Sequence, residues 1–312
     1  MPTFKWKGDY MRRNSEFIIV NKERLADKIY LMDIRAHRVA KHCQPGQFLI
    51  LKLDEKGERI PMTICNYDRE KETVTIVFQA IGYSTKRMAE YEVGDSFQDL
   101  TGPLGKPSEL INTSKDKLTN KNILFVAGGL GTAPVYPQVK WMKEQGYEVD
   151  CIIGARSKDL VILEDKMREV AANVYVSTDD GSYGLHGNVN DCIRDLIENK
   201  GKRYDQVVAI GPMIMMKFVC ILTKELGIST TVSMNPIMVD GTGMCGACRL
   251  TIGEEVKFAC VDGPEFDGHL VDFDEAIQRV NMYKTQEGKE LLRKKEGDTH
   301  HHPGCECHEK EV

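Results

Sequence analysis

Between Lys121 and Asn235 the chain alternates short apolar runs with longer segments of mixed polarity: "NILFVAGG", "APVYPQVKWMKEQG", "EVDCIIGAR", "LEDKMREVA", "NVYVSTDDG", "NVNDCIRDLIENK", "QVVAIGP", "MIMMKFVCILTKELG" and "TTVSMN". The short runs are rich in β-branched residues and several are closed by glycine, as strands are; the longer ones have the length and apolar spacing of helices. Parallel strands can be joined only through a crossover, so repeated strand–helix units predict a parallel, doubly wound sheet. In such a sheet ligands bind beyond the carboxyl ends of the strands.

Before about residue 110 the texture is different. "EFIIVNKERLADKIYLMDIRA", "PGQFLILKL" after a Pro-Gly turn, and "TVTIVFQAIG" are closely spaced strands with little helical periodicity, which favours a small antiparallel barrel. With 312 residues, 41% of them hydrophobic, the chain can bury two ordinary cores. The expected division is an antiparallel barrel over 1–112, an α/β nucleotide domain over 113–232, a cysteine-rich loop domain over 233–275 and a charged helix or tail over 276–312. A net charge of -5 gives no electrostatic case for nucleic acid. No signal-peptide core opens the chain and no run of about 18 apolar residues occurs, so a soluble, cytoplasmic protein without a membrane span is expected.

In "VAGGLGTAPVYPQV" a strand ends at Gly128 and Gly129, and Gly131 leads into a helix with Pro134 in its first turn. Free backbone N–H groups at a helix start, with no side chains in the way, suit a pyrophosphate, although glycines also simply make tight turns. Pro134 stands where the usual dinucleotide fingerprint has its third glycine. No acid follows the second strand; Arg156, Ser157 and Lys158 are there instead, either a 2′-phosphate site or a solvated basic turn. Asp179, Asp180 and Gly181 follow the third strand, as nicotinamide contacts or as turn caps.

Two barrel segments also suit phosphate. "ERIPMTICNYD" puts Arg59 four residues before Thr63 with Pro61 restricting the backbone between them, and a guanidinium fork binds oxyanions bidentately. "AIGYSTKRM" opens a helix with Gly82, Ser84 and Thr85.

The remaining chemistry lies in "MVDGTGMCGACRLTIGEEVKFAC", Met238 to Cys260. Cys245, Cys248 and Cys260 follow the plant-type two-iron spacing, but Asp240 stands where the first cysteine belongs. A carboxylate keeps the negative charge of the ligand it replaces, and glycines 241, 243 and 246 let the backbone wrap closely. Tetrahedral zinc is the alternative for the same donors, and Cys220 an alternative fourth ligand. Cys43, Cys65, Cys151, Cys192 and Cys220 are isolated and read as small buried hydrophobes. The tail carries His300, His302, Cys305, Cys307 and His308, a set able to bind a soft metal or to stay solvated. His37, His42, His186 and His269 read as structural or solvent-facing.

Taken together, the RxxxT segment, the turn at Gly82 to Thr85, "GPLG" at 102 to 105, the GGxGxAP loop and "IGPMIMM" resemble the ferredoxin–NADP reductase superfamily over roughly residues 10 to 230. The resemblance implies a barrel that binds FAD through Arg59, Pro61, Met62, Thr63, Gly82, Ser84 and Thr85. It implies a nicotinamide-nucleotide site at Gly129, Gly131, Thr132, Ala133, Gly211 and Pro212, with Arg156, Asp179 and Gly181 beside it. Many members have a cysteine before the Gly-Pro; Ile210 holds that place here. The cysteine loop and "TDDGSYGLHG" narrow the resemblance to two groups. One comprises electron-transfer subunits such as that of dihydroorotate dehydrogenase; the other, which is more similar, comprises the small subunits of electron-bifurcating NADH-dependent ferredoxin:NADP oxidoreductases, themselves similar to subunits described as sulfide dehydrogenase. In the second group an aspartate replaces the first cluster cysteine, which implies a [2Fe-2S] site of Asp240, Cys245, Cys248 and Cys260. The implied activity is hydride exchange between NAD(H), rather than NADP(H), and FAD. Single electrons then pass through the cluster to or from a larger flavin and iron–sulfur partner in a heterodimer, with ferredoxin reached through that partner. No catalytic residue is assigned. A non-redox module that binds zinc and a nucleotide is the alternative of another class.

Overall fold

The computed structural model describes residues 16–119 and 121–296. Its amino-terminal part is antiparallel. Strands β1 (Ile19–Ala26) and β2 (Ile29–Arg35) form a hairpin closed by Lys28 in a left-handed conformation. They are followed by helix α1 (His37–His42), β3 (Phe48–Lys52), β4 (Arg59–Thr63), β5 (Asn66–Asp68), β6 (Thr73–Gln79), helix α2 (Tyr83–Met88) and β7 (Asp99–Leu104). Two sheets result, ordered β1-β2-β6-β5 and β4-β3-β7. Their inner faces close on Ile19, Met32, Ile34, Leu49, Leu51, Val74, Ile76 and Phe78, at most 1% exposed, a dry core of the size a small barrel needs.

Short helices α3 (Glu109–Asn112) and α4 (Lys115–Leu118) lead into the βα units. These are β8 (Ile123–Gly128), α5 (Thr132–Glu144), β9 (Asp150–Ala155), α6 (Glu164–Val170), β10 (Asn173–Thr178), β11 (Leu185–His186), α7 (Val189–Arg194), β12 (Gln206–Ile210), α8 (Met213–Glu225) and β13 (Ser229–Ser233). The parallel sheet is ordered β11-β10-β9-β8-β12-β13. Strand order reverses between β8 and β12, the kind of switch point at which open α/β sheets receive their ligands.

After β13 the cysteine segment contributes a two-stranded hairpin, β14 (Arg249–Ile252) and β15 (Glu255–Phe258), and then β16 (Glu265–Asp267). β16 pairs antiparallel with β13, Thr231 to Asp267 and Ser233 to Glu265, and becomes the seventh strand of the sheet. Sequence division at 232/233 does not show this crossing, because an edge strand of three residues carries little periodicity. One continuous apolar core joins Cys248, Leu250, Ala259, Cys260, Phe266 and Phe273 to Val207, Met216, Val219 and Val232 beneath the sheet. Helices α9 (Phe273–Val280) and α10 (Lys284–Glu296) follow, and α10 packs against α2. Among the described residues no helix is long and apolar enough to cross a membrane. The histidines and cysteines of the tail, His300 to His308, lie outside the described residues.

Candidate functional site

The first part of the site is built of backbone. A Cβ on Gly131 would lie 2.0 Å from the Ile210 carbonyl oxygen, and one on Gly211 3.1 Å from the Gly128 Cα. The turns that leave β8 and β12 therefore pack main chain on main chain, which only glycine permits. Gly129 has a φ of 54° with open space around its Cα. Thr132 is fully buried and its Oγ1 donates to the Gly129 carbonyl at 2.9 Å, so it braces the turn. Leu130 packs against an apolar cluster that joins Leu31, Cys65 and Val77 of the barrel to the helices and strands of the sheet. Arg156 is exposed, and the Lys158 ammonium lies 5.4 Å from the centroid of the Tyr183 ring. In the next turn the Asp180 carboxylate accepts from the Ser182 hydroxyl (2.6 Å) and N–H (3.0 Å), bonds that lower its pKa. These bonds are those of a turn-capping carboxylate. Gly181, with a φ of 71°, lies against His186.

The second part lies on the barrel. β4 is an edge strand, so Arg59, Pro61, Met62 and Thr63 stand at a rim, all partly exposed. The first turn of α2 is tied to the chain just before β4: the Ser84 hydroxyl donates to Glu58 at 2.6 Å, and Arg87 forms an ion pair with Asp54. Thr85 Oγ1 accepts from the Gly82 N–H at 3.0 Å and closes that turn. These ties bring the RxxxT strand and the Gly82 turn together. They also occupy the Ser84 and Thr85 hydroxyls. Ile210, where relatives of the superfamily have cysteine, is buried.

The third part is the cysteine loop. Gly241, Gly243 and Gly246 have φ of 78°, 83° and 68°, conformations that side chains resist, as the close wrapping expected of the loop requires. Cys248 and Cys260 are buried with their sulfurs 3.2 Å apart, while Cys245 is exposed. The Asp240 carboxylate accepts from the N–H groups of Thr242 (3.0 Å) and Cys245 (2.9 Å), which together hold its pKa below the ordinary value. Among the described residues no three His, Cys, Asp or Glu side chains converge as they would on a single metal ion. Three sulfurs and a carboxylate held within one glycine-rich loop fit a cluster in their chemistry. Burial, and then the adjoining Cys248 sulfur, push the Cys260 thiol up to about 12. Cys220, the alternative ligand, sits in α8, buried against Gly268, and belongs to the apolar core. Cys43, Cys65, Cys151 and Cys192 are likewise buried.

A junction absent from the sequence reading ties all three parts. Glu265, at the start of β16, accepts from the Ser108 hydroxyl (2.9 Å), the Gln138 amide (2.7 Å) and the Glu109 N–H (3.3 Å). Burial raises its pKa, and the hydrogen bonds oppose the shift. Ser108 follows the barrel and Gln138 belongs to α5, so one buried carboxyl joins barrel, nucleotide sheet and cysteine segment. Its sequence signal was an acid inside "VDGPEFDG", where nothing local marks burial.

An antiparallel flavin-reductase-type barrel, a parallel nucleotide sheet and a cysteine loop define a pyridine-nucleotide oxidoreductase with an iron–sulfur domain, and comparisons with known proteins agree. Residues 125–221 match the oxidoreductase NAD-binding domain, and residues 235–272 the iron–sulfur cluster binding domain of dihydroorotate dehydrogenase B. The chain is 43% identical to a Thermotoga maritima protein described as a homologue of the dihydroorotate dehydrogenase B (NAD(+)) electron transfer subunit, over 86% of this chain and 92% of that one. It is 62% identical to a Clostridium beijerinckii protein described only by its place in the adh 3′ region, over 93% of this chain and 98% of that one. Among solved structures, one of an NADH-dependent reduced ferredoxin–NADP oxidoreductase, described for flavin-based electron bifurcation, superimposes with a TM-score of 0.82 at 40% identity, over 90% of this chain and 98% of that one. The chain belongs to the family of dihydroorotate dehydrogenase B electron transfer subunits.

Proposed function

We propose that this chain is the nicotinamide-facing subunit of a flavin-based electron-bifurcating oxidoreductase of the NADH-dependent ferredoxin:NADP type. It exchanges hydride between NAD(H) and FAD and passes single electrons through a [2Fe-2S] cluster to or from a larger flavin and iron–sulfur subunit in a cytoplasmic heterodimer. The observation that carries this reading is Asp240. It stands in the first ligand position of a loop whose other donors are Cys245, Cys248 and Cys260, beside the barrel rim that bears Arg59. The likeness to the bifurcating oxidoreductase structure supports this reading over the dihydroorotate one.

When bound, FAD interconverts a two-electron hydride with single electrons and the cluster carries those electrons singly. The chain's own residues set the geometry. Arg59 and the N–H groups around Gly82 to Thr85 neutralise and orient a pyrophosphate at the barrel rim. Gly129, with open space around it, admits the nicotinamide nucleotide to main chain, while Gly131 and Gly211 let the two turns pack, with Thr132, Ala133 and Pro212 fixing them. Arg156, Asp179 and Gly181 border that crevice. Ile210 keeps the crevice floor apolar and offers no proton, so hydride exchange relies on orientation and exclusion of water.

Anaerobic purification tests the reading: the chain contains about two irons and one FAD, NADH bleaches the flavin, and reduction gives a two-iron EPR signal. Asp240→Cys retains that signal with a shifted midpoint, whereas Asp240→Ala makes the cluster labile. A colourless protein holding zinc would overturn the assignment in favour of the non-redox module, and an unchanged midpoint with a stable cluster in both variants would remove Asp240 from the ligand set.

A further inference from the structure

Arg59 does more than face the barrel rim. Its Nε donates to the carbonyl oxygen of Val239, 180 residues further on, at 2.8 Å. Val239 is bonded directly to Asp240, so this hydrogen bond fixes the peptide that leads into the expected first ligand. Nη1 lies 3.6 Å from Asp99 Oδ2, so Nη2 is the nitrogen left to meet an oxyanion. A guanidinium is planar, so orienting Nε on the Val239 carbonyl also orients the nitrogen that meets an oxyanion.

The loop is seated on the barrel at two further points. Gly241 lies so close that a Cβ there would sit 2.7 Å from Leu104 and 2.8 Å from Ile50. Beyond Cys260, the Lys106 N–H donates to the Gly263 carbonyl at 2.7 Å. The first of these holds the loop down on β3 and β7, and the second fixes its far end. Arg59 alone among the three also belongs to the flavin strand.

We propose that Arg59 is a positioning residue that couples the two cofactor sites: FAD binding and a correctly seated cluster loop stabilise each other through one guanidinium. The inference rests on the flavin and cluster reading given above. Coupling between two sites is reciprocal and typically about 5- to 150-fold in affinity. The loaded wild-type chain then binds FAD at least about 5-fold more tightly than the same chain stripped of iron by an anaerobic chelator. An ammonium is a single compact charge that can meet the phosphate or the carbonyl but does not hold both in one plane. Arg59→Lys therefore keeps measurable FAD binding and loses the dependence on iron.

The experiment is FAD titration of deflavinated protein, with and without iron, for wild type, Arg59→Lys and Gly241→Ala, read by flavin fluorescence. The EPR line shape of the reduced cluster is recorded before and after FAD. The expected result is a ratio of at least about 5 in wild type, a ratio near 1 in Arg59→Lys, and a reduced ratio in Gly241→Ala, whose loop is lifted while Arg59 is intact. FAD alters the line shape in wild type and not in Arg59→Lys. Equal affinity with and without iron in wild type, or a full ratio retained in Arg59→Lys, overturns the coupling while leaving the flavin site in place. Absence of any FAD binding in the wild-type chain defeats the functional reading itself, and the coupling with it.

Discussion

The glycine turn at Gly128 to Thr132 and the cysteine loop at Met238 to Cys260 are both built on bare backbone, yet they are held differently. The turn is clamped between two adjacent parallel strands, with β8 and β12 main chain in contact and the Thr132 hydroxyl bonded inside. Its shape follows from the sheet. The loop has no ladder of its own on the ligand side; it is located by Arg59, by the barrel face under Gly241 and by the apolar core beneath Cys248 and Cys260. A turn set by a sheet should fail abruptly when its packing is breached. A loop set by scattered ties should fail by degrees, except at its ligands.

The largest effect tests that exception. Cys260→Ala should lower iron to below about a tenth of wild type, because the binding energy of such a site belongs to its thiolates. FAD content and bleaching by NADH should survive; their loss would mean that the loop, not the sheet, holds the nucleotide side together. Next comes Gly131→Ala, whose methyl must push the Ile210 peptide away from a contact of 2.0 Å. Flavin reduction by NADH should slow about 100-fold, as expected of a displacement near 1 Å at a reacting geometry, with the two-iron EPR signal intact. A slowing of only a few-fold would show that the turn yields as a loop does.

The junction at Glu265 gives an intermediate case with a definite sign. Its folded pKa is raised above the ordinary 4.5, so between 4.5 and that raised value the folded state holds more of the proton than the unfolded chain does. The carboxyl's stabilising contribution is complete below pH 4.5 and is lost as pH rises through its raised folded value. Glu265→Gln lacks this titration. The Tm difference between variant and wild type should therefore move in the variant's favour from pH 4.5 upward and level off above the folded pKa; a constant difference would mean that the three hydrogen bonds cancel the cost of burial. The smallest effect belongs to Asp180→Ala. Removing an exposed turn cap should shift Tm by under about 2 °C and leave the KM for NADH within about 2-fold. A KM raised tenfold would make Asp180 a nucleotide contact after all.

The same contrast explains what could be read from residues alone. The βα units are legible because periodicity, chain length and the glycines at 128, 129 and 131 act within one strand, turn and helix. The donors of the cysteine loop are legible because Asp240, Cys245 and Cys248 fall within nine consecutive residues, Asp240 to Cys248. Barrel strands β4, β5 and β7 leave weaker traces, since a short edge strand half open to water does not alternate cleanly. The ties between parts leave none. Arg59 and Val239 are 180 residues apart, Ser108 and Glu265 157, and no pattern along the chain announces a hydrogen bond at that separation.

The antiparallel pairing of β16 with β13 has a practical consequence for anyone who wishes to dissect or transplant these modules. Severing the polypeptide just after Ser233 would not release a self-sufficient nucleotide unit: it would bare the backbone rim from Thr231 to Ser233, an open invitation to foreign strands. The iron-bearing portion, in turn, would leave behind the floor on which Phe266 and Phe273 rest. A transplant that keeps both edges covered has to carry β13 and β16 as a pair.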